Sequence, residues 1–328
     1  MADNFTRRNL LRTAAAGAAL VAAPAVLRGQ EAMPRVRYVT LATGFNVVLN
    51  EYMAAKRFDL KRGVNIDVVN SYTSVSNYYN DLTAGTFDLG IGAWDTFAAR
   101  YMAGVPLQLV CTVNDYDILH LVSLQSGPGS LAELAGRTIG ATLSSGAYRI
   151  TKLALRDFHK IDLEGAVKVQ NVESPAAAVT MVLARNVDAG LTWEPNISVG
   201  VAREPALRTI YNLGQDFQKN AGFPLPYFGF ALRKEAAQKH PGVGARIAAA
   251  IADCIDGVAA NLDEAIALAA PKMRLEPAVL KAAFTSGRLV FRPKAMDDAA
   301  GRKAVVDSAA YLARNGALPR PLDDGFFA

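Results

Sequence analysis

The sequence predicts an α/β fold of two mostly parallel sheets, one following the other along the chain, and three observations carry that expectation. β-rich runs alternate with helical segments from Arg35 to Arg185, the pattern that builds parallel sheets with helices on both faces. Glycines close several of the helices, where a left-handed C-terminal cap favours a residue without Cβ. One order of features occurs twice: helix end, aspartate, strand, tryptophan, acid.

The first unit opens with Arg35 to Ala42, an alternating strand, after which Thr43-Gly44-Phe45 turns into an amphipathic helix from about Asn46 to Arg57. Ile66 to Asn70 is a second short strand. Polar Ser71 to Ser76 leads into a helix, about Asn77 to Ala84, closed by Gly85, and Phe87 to Gly92 is a third strand. A second unit begins after the run His120 to Leu124. Leu131 to Arg137 is a short helix ended by Gly136, and Thr138 to Ala141 is a strand. Ser144-Ser145-Gly146-Ala147-Tyr148-Arg149 then opens a helix to about Phe158, with the strand Val167 to Val172 and the helix Pro175 to Arg185 behind it. In the C-terminal third, about Val243 to Ala260 and Asp297 to Ala313 carry apolar residues at helical spacing and are read as cover for a sheet.

Thr6-Arg7-Arg8-Asn9-Leu10-Leu11-Arg12 reads as a twin-arginine export signal. Behind it, Thr13 to Leu27 is an Ala/Gly-rich apolar stretch, too short and too weakly hydrophobic to span a bilayer, and Ala23-Pro24-Ala25 offers a small-residue cleavage site. Residues 1–32 are therefore expected to be signal peptide and leader, with the Tat translocase as partner during export. With no cysteine near the cleavage site to take a lipid, the expectation is a soluble periplasmic protein. Roughly 300 residues remain, enough for one large or two medium domains with sizeable cores.

Cleavage after Ala25 removes three arginines and one aspartate, so the formal charge of +5 falls by two. The basic residues are scattered, no stretch interleaves arginines with stacking aromatics, and nucleic acid is not an expected partner. Cys111 and Cys254 lie in apolar runs and are expected to be buried, as two thiols or as a disulfide. Three histidines and two cysteines show no metal-ligand spacing, and no Gly-x-Ser-x-Gly elbow, P-loop or dinucleotide fingerprint is present. No metal, cofactor or catalytic residue is expected, and the chain does not read as an enzyme.

The repeated feature runs from Leu82 through Gly85 and Asp88 to Trp94-Asp95, and again from Leu183 through Asp188 and Gly190 to Trp193-Glu194. Both tryptophans of the chain thus fall at the expected carboxyl end of equivalent strands, where open α/β sheets present a ligand crevice. Two similar units facing one another are the natural reading.

Ala84-Gly85-Thr86-Phe87-Asp88-Leu89-Gly90-Ile91, the glycine turn and strand Leu131 to Ala141, Ser144-Ser145-Gly146 at a helix start, Asn186-Val187-Asp188-Ala189 with Trp193-Glu194-Pro195, and the tail Asn315-Gly316-Ala317-Leu318 occur in a telling order. Together they resemble the substrate-binding proteins of ABC importers. Within these the chain is similar to the branch of alkanesulfonate, taurine and nitrate binders and of thiamine-pyrimidine-precursor (NMT1/THI5-like) binders. The resemblance implies a two-lobed periplasmic binding protein fold of type II character, with each lobe a mostly parallel sheet flanked by helices. Two hinge crossings, near Leu119 to Val122 and Pro226 to Phe230, would join a discontinuous lobe of residues 33–119 and 227–328 to a second lobe of residues 120–226.

The candidate ligand residues lie where that cleft would form. Ser144, Ser145 and Gly146 open a helix whose free N–H groups and dipole suit an anion, unless Ser145 is an ordinary cap with water in the ligand's place. Arg149, one turn in, would neutralise a sulfonate or carboxylate, or is a solvated helix arginine. Asp95 and Glu194 are either helix-start residues or acceptors for an amine or pyrimidine N–H. Trp94 and Trp193, with Tyr72 and Tyr148, would cage an apolar or aromatic ligand body, or pack as core. Thr43, Gly44 and Phe45 follow the first strand, Ser74 and Ser76 the second, and Tyr227 would reach in from the stiff return crossing.

The resemblance implies a monomeric periplasmic receptor that captures a small organic anion, a sulfonate or aromatic carboxylate, and delivers it to an inner-membrane ABC permease without catalysis. The alternatives are a binder of a pyrimidine-like heterocycle and a sensor subunit presenting its ligand to a membrane kinase. An enzyme of the fungal thiamine-pyrimidine branch would need a cysteine-rich iron site, and this sequence lacks that cluster.

Overall fold

The computed structural model describes residues 33–42 and 44–328, so Thr43 and the export motif Thr6 to Arg12 lie outside the described residues. Pro34–Ala328 forms one unit containing two sheets. Strands β1 (Arg35–Leu41), β2 (Asn65–Tyr72), β3 (Leu89–Ala93) and β4 (Leu107–Thr112) enter the first sheet. Strands β5 (His120–Leu124), β6 (Thr138–Ala141), β7 (Lys168–Asn171), β8 (Ala189–Thr192) and β9 (Leu207–Asn212) make the second. The chain then returns to the first sheet with β10 (Phe228–Arg233) and β11 (Lys294–Ala295).

The strand orders are β11-β4-β10-β3-β1-β2 and β7-β6-β8-β5-β9. In the first, β10 runs antiparallel between β3 and β4; in the second, β5 runs antiparallel between β8 and β9. Each sheet is otherwise mostly parallel, and its inserted strand is the one that arrives directly from the other sheet. β3 and β8, which carry the repeated tryptophan and acid, therefore hold the same place in their sheets. The mixed two-sheet architecture with flanking helices is the periplasmic binding protein fold.

Local chemistry accounts for the helix ends. The helix Val75–Ala84 begins two residues earlier than the sequence pattern implies, because the Ser74 hydroxyl accepts from the Asn77 N–H and starts the first turn there. Gly85 closes that helix at φ 79°. The strand expected at Phe87 begins at Leu89, since the Asp88 carboxylate is engaged by the backbone and guanidinium of Arg37. The helix Val243–Ala260 turns Ile247, Ile251, Cys254, Ile255 and Val258 inward. Each such aliphatic side chain contributes about 1.5–3 kcal/mol on burial. On the second sheet, Val179 and Val182 of the helix Pro175–Leu183 pack with Val122, Val187, Ile197 and Leu207. Cys111 and Cys254 are both free thiols in the core.

The two connecting segments run side by side. Tyr116 N–H donates to the Leu225 carbonyl (2.9 Å), Tyr227 N–H to the Asn114 carbonyl (2.8 Å), and Asp115 and Pro226 form an antiparallel bridge. At Gly214, which opens the return toward the first sheet, a Cβ would overlap the Asp117 backbone nitrogen, so only glycine permits this approach.

Candidate functional site

Trp94 and Asp95 begin the helix Trp94–Met102 directly after β3, and Trp193 and Glu194 stand between β8 and the helix Asn196–Arg203. The two acids are wholly buried, which is costly for a charge unless it is paired and hydrogen-bonded. Each is paired with an arginine from the opposite side of the molecule.

The Asp95 carboxylate accepts from the Tyr116 hydroxyl (2.8 Å) and from Arg149 Nη2, and Arg149 also reaches Thr96 Oγ1 (3.4 Å). Burial, then the charge of Asp95, pushes the Tyr116 hydroxyl well above its ordinary range, so it stays a donor. A Cβ on Gly146 would lie 2.5 Å from both carboxylate oxygens. Gly146 is the first residue of the helix Gly146–His159, so Asp95 sits against the end where N–H groups lack partners and the dipole is positive. The Asp95 carboxylate, delivered by the first sheet, thus lies beside the serine-rich helix start and is held there by Arg149 and Tyr116.

Glu194 has the reciprocal arrangement. Its Oε2 accepts from the Ser198 N–H (3.0 Å), and its Oε1 accepts from the Ser198 hydroxyl (3.0 Å) and Arg288 Nε (2.6 Å). Arg288 Nη2 closes the ring on Ser198 Oγ (3.2 Å). Arg288 lies between the helix Pro277–Thr285 and β11 of the first sheet, whereas Glu194 belongs to the second. Glu194 is engaged at its own helix start through Ser198, but its charge is met by Arg288 from the first sheet's side.

The remaining sequence-derived residues divide between rim and core. Ser76 and Ser144 touch through their hydroxyls (3.1 Å), and the Val75 N–H donates to the Glu173 carbonyl (3.2 Å), so the two rims meet. Ser145 caps its helix by accepting from the Tyr148 N–H (3.3 Å) and donates to the Thr142 carbonyl (2.7 Å). Trp94 is core, its indole N–H donating to the Pro226 carbonyl (2.6 Å). Trp193 stands edge-on to Phe228 (5.4 Å between centroids) and Tyr227 (5.9 Å), close to Gly44. Gly44 has φ 117°, which excludes other residues, and Phe45 is buried against Phe228 and Phe291. Tyr227 stacks on Tyr116 at 3.9 Å.

Tyr72 and Tyr148 are held away from a shared cage. Tyr72 donates to Asp81 and Tyr148 to Glu164 (2.9 Å); burial, then the bond to Glu164, pushes the Tyr148 hydroxyl up to about 12. The residues that sequence reasoning missed are Tyr116, Ser198 and Arg288. Ser198 stands four residues after Glu194, a helical spacing that is visible in the sequence; Tyr116 and Arg288 carry no local signal. Beside this centre a cavity of about 210 Å³ opens among Ala42, Pro195, Asn196, Val199, Met273 and Leu275.

Among the described residues no helix is long and apolar enough to cross a membrane, and no group of three or more His, Cys, Asp or Glu side chains converges as a metal site would. A family model described as NMT1/THI5 like matches residues 52–265. A protein of Brucella abortus named only as a binding protein is 23% identical over 272 residues, covering 82% of this chain and 81% of its own length. The periplasmic aliphatic sulphonate binding protein of Escherichia coli superimposes with a TM-score of 0.70 at 18% identity, over 88% of this chain and 95% of that one. The alkanesulfonate-binding protein of Xanthomonas axonopodis bound to MOPS gives 0.70 at 19% identity over the same shares. A Candida albicans protein described as having the generic periplasmic binding protein fold gives 0.63 at 16%, over 89% and 93%.

Proposed function

The chain belongs to the NMT1/THI5-like family, and from that premise we propose that it is the periplasmic ligand-binding component of an ABC importer, capturing a small organic anion and delivering it to an inner-membrane permease. It would act without catalysis, as two lobes, residues 33–119 with 227–328 and residues 120–226, closing on the ligand. The twin-arginine motif at Thr6 to Arg12 supports export by the Tat route.

The observation that carries the ligand class is the buried Arg149–Asp95 pair beside the helix start at Gly146. Arg149 and Tyr116 together hold one carboxylate in a buried site, and that carboxylate comes from the opposing sheet. A sulfonate or carboxylate of a ligand matches Asp95 in charge and in hydrogen-bond acceptance, so it would take the same place as the lobes open and reclose. Trp193 and Phe228 would then meet its organic body.

A second reading rests on the same acid. With Arg149 swung outward, Asp95 and Glu194 would accept the N–H groups of a pyrimidine-like heterocycle. Thermal shift of the Asp95→Asn variant against alkanesulfonates, aromatic carboxylates, nitrate and pyrimidines separates the two. Removing the internal competitor strengthens an anion's stabilising shift, whereas a pyrimidine's shift would disappear.

A further inference from the structure

A second cavity, of about 270 Å³, lies on the helix-covered face of the first sheet and shares no residue with the Asp95 and Glu194 clusters. It is enclosed by the helices Asn46–Lys56 and Val243–Ala260 and by β1, β2 and β10, with β2 at the sheet edge. Its volume is just below the range of about 300–1,000 Å³ common for small-molecule sites.

The walls specify a ligand. Leu49, Met53, Ile251 and Cys254 meet the rings of Tyr38 and Phe230, whose centroids are 5.8 Å apart. Two sulfurs and two rings favour an aromatic guest over an aliphatic one. Away from the charged mouth, Asn50 and the Tyr38 hydroxyl are the polar groups of the wall. Tyr38 is 2% exposed, and its hydroxyl makes no well-formed hydrogen bond, although Thr40 and Asn50 stand near it. Leaving such a group unmet is costly, and one polar atom in the cavity would recover the loss.

Charge at the mouth is already cancelled. Asp59 accepts two hydrogen bonds from Arg57 (3.0 and 2.9 Å) and one from the Ile66 N–H (3.0 Å), and Asp67 is paired with Arg35. An ionised ligand would find no free counter-charge, and its desolvation would go uncompensated. We propose that this cavity is a second ligand site, separate from the interlobe cleft, for an uncharged single-ring aromatic molecule bearing one hydroxyl or carbonyl oxygen.

Phenol is the probe and toluene the control, each followed by thermal shift and by direct titration on the mature protein. The expected result is saturable stabilisation by phenol, abolished in Ala54→Trp, which places a bulky ring at the exposed mouth without entering the core. Tyr38→Phe should weaken phenol about tenfold and leave toluene unchanged. Ile251→Trp, which fills the cavity from behind, is a second blocking variant should Ala54→Trp fail to fold. An absent phenol response, a response equal in the blocking variants and the wild type, or a Tyr38→Phe variant that binds phenol normally would overturn the assignment. A sulfonate's thermal shift, read on the same variants, stays intact if only the second site is closed.

Discussion

The Asp95 carboxylate, at the end of a strand in one sheet, is paired with the Arg149 guanidinium on a helix of the other, and its oxygens lie against Gly146, the first residue of that helix. Glu194 and Arg288 repeat the arrangement with the donors exchanged: the second sheet supplies the acid and the first supplies the base. Two reciprocal ion pairs therefore join the same two sheets. Burial removes the solvent screening that makes surface pairs weak, but it also makes each partner costly if left alone.

Arg149→Ala should uncover that cost. Asp95 would remain buried with only Tyr116 as donor, and stability should fall by about 3 kcal/mol, the low end for a broken buried pair because Arg149 is 31% exposed. Urea denaturation of the unliganded protein checks this. An unchanged midpoint would mean that Asp95 finds other solvation.

Gly146→Ala should act on closure. The added methyl would stand 2.5 Å from both Asp95 oxygens, so the buried carboxylate or the helix must shift. We expect a loss of about 1–3 kcal/mol and an expanded radius of gyration in solution scattering. A variant as compact as the wild type would show that the contact adjusts locally.

Ser145→Asp tests the anion site. Aspartate keeps the helix cap, but it cannot donate to the Thr142 carbonyl and brings a second negative charge near Asp95, so the thermal midpoint should fall. That charge should weaken an anionic ligand at least about tenfold. Undiminished sulfonate affinity in this variant would move the anion site elsewhere.

Acid should destabilise the protein through His120. Burial, then the charge of Arg288, lowers its pKa to about 4, and Asn212 is its near neighbour at 3.4 Å. The unfolded chain takes up a proton near pH 6.5 that the folded chain refuses until about pH 4. Stability should therefore decline as pH falls through that window, by up to about 3 kcal/mol. A His120→Gln variant with the same slope between pH 6.5 and 4 would count against this origin.

Much of the fold was legible because its signals are local. Ser145, Gly85 and the β-branched strand runs act within a few residues of themselves, and the repeat around Trp94 and Trp193 pointed to equivalent strands before any topology was known. β4 and β10 were not read as strands, since each is a short, largely apolar run lacking the alternation that identifies a strand on sequence alone, and β9 was missed because Arg208, Thr209 and Asn212 break up its apolar residues without a period of two. The site's chemistry was legible only by halves. Ser145 announces a helix terminus, but the carboxylate beside that terminus stands 54 residues from Arg149, and Arg288 is 94 residues from Glu194. Nothing near Gly287 and Arg288 distinguishes that arginine from a solvated one.

The paired connecting segments have a mechanical meaning. Two strips joined by the bonds Tyr116 to Leu225 and Tyr227 to Asn114 behave as a narrow ribbon, stiff to twisting and compliant to bending about one line. In the proposed closure, motion of one sheet against the other would thereby be reduced to nearly a single angle. Arg149 and Arg288 would then leave their acids together and return to them in the same alignment on every cycle.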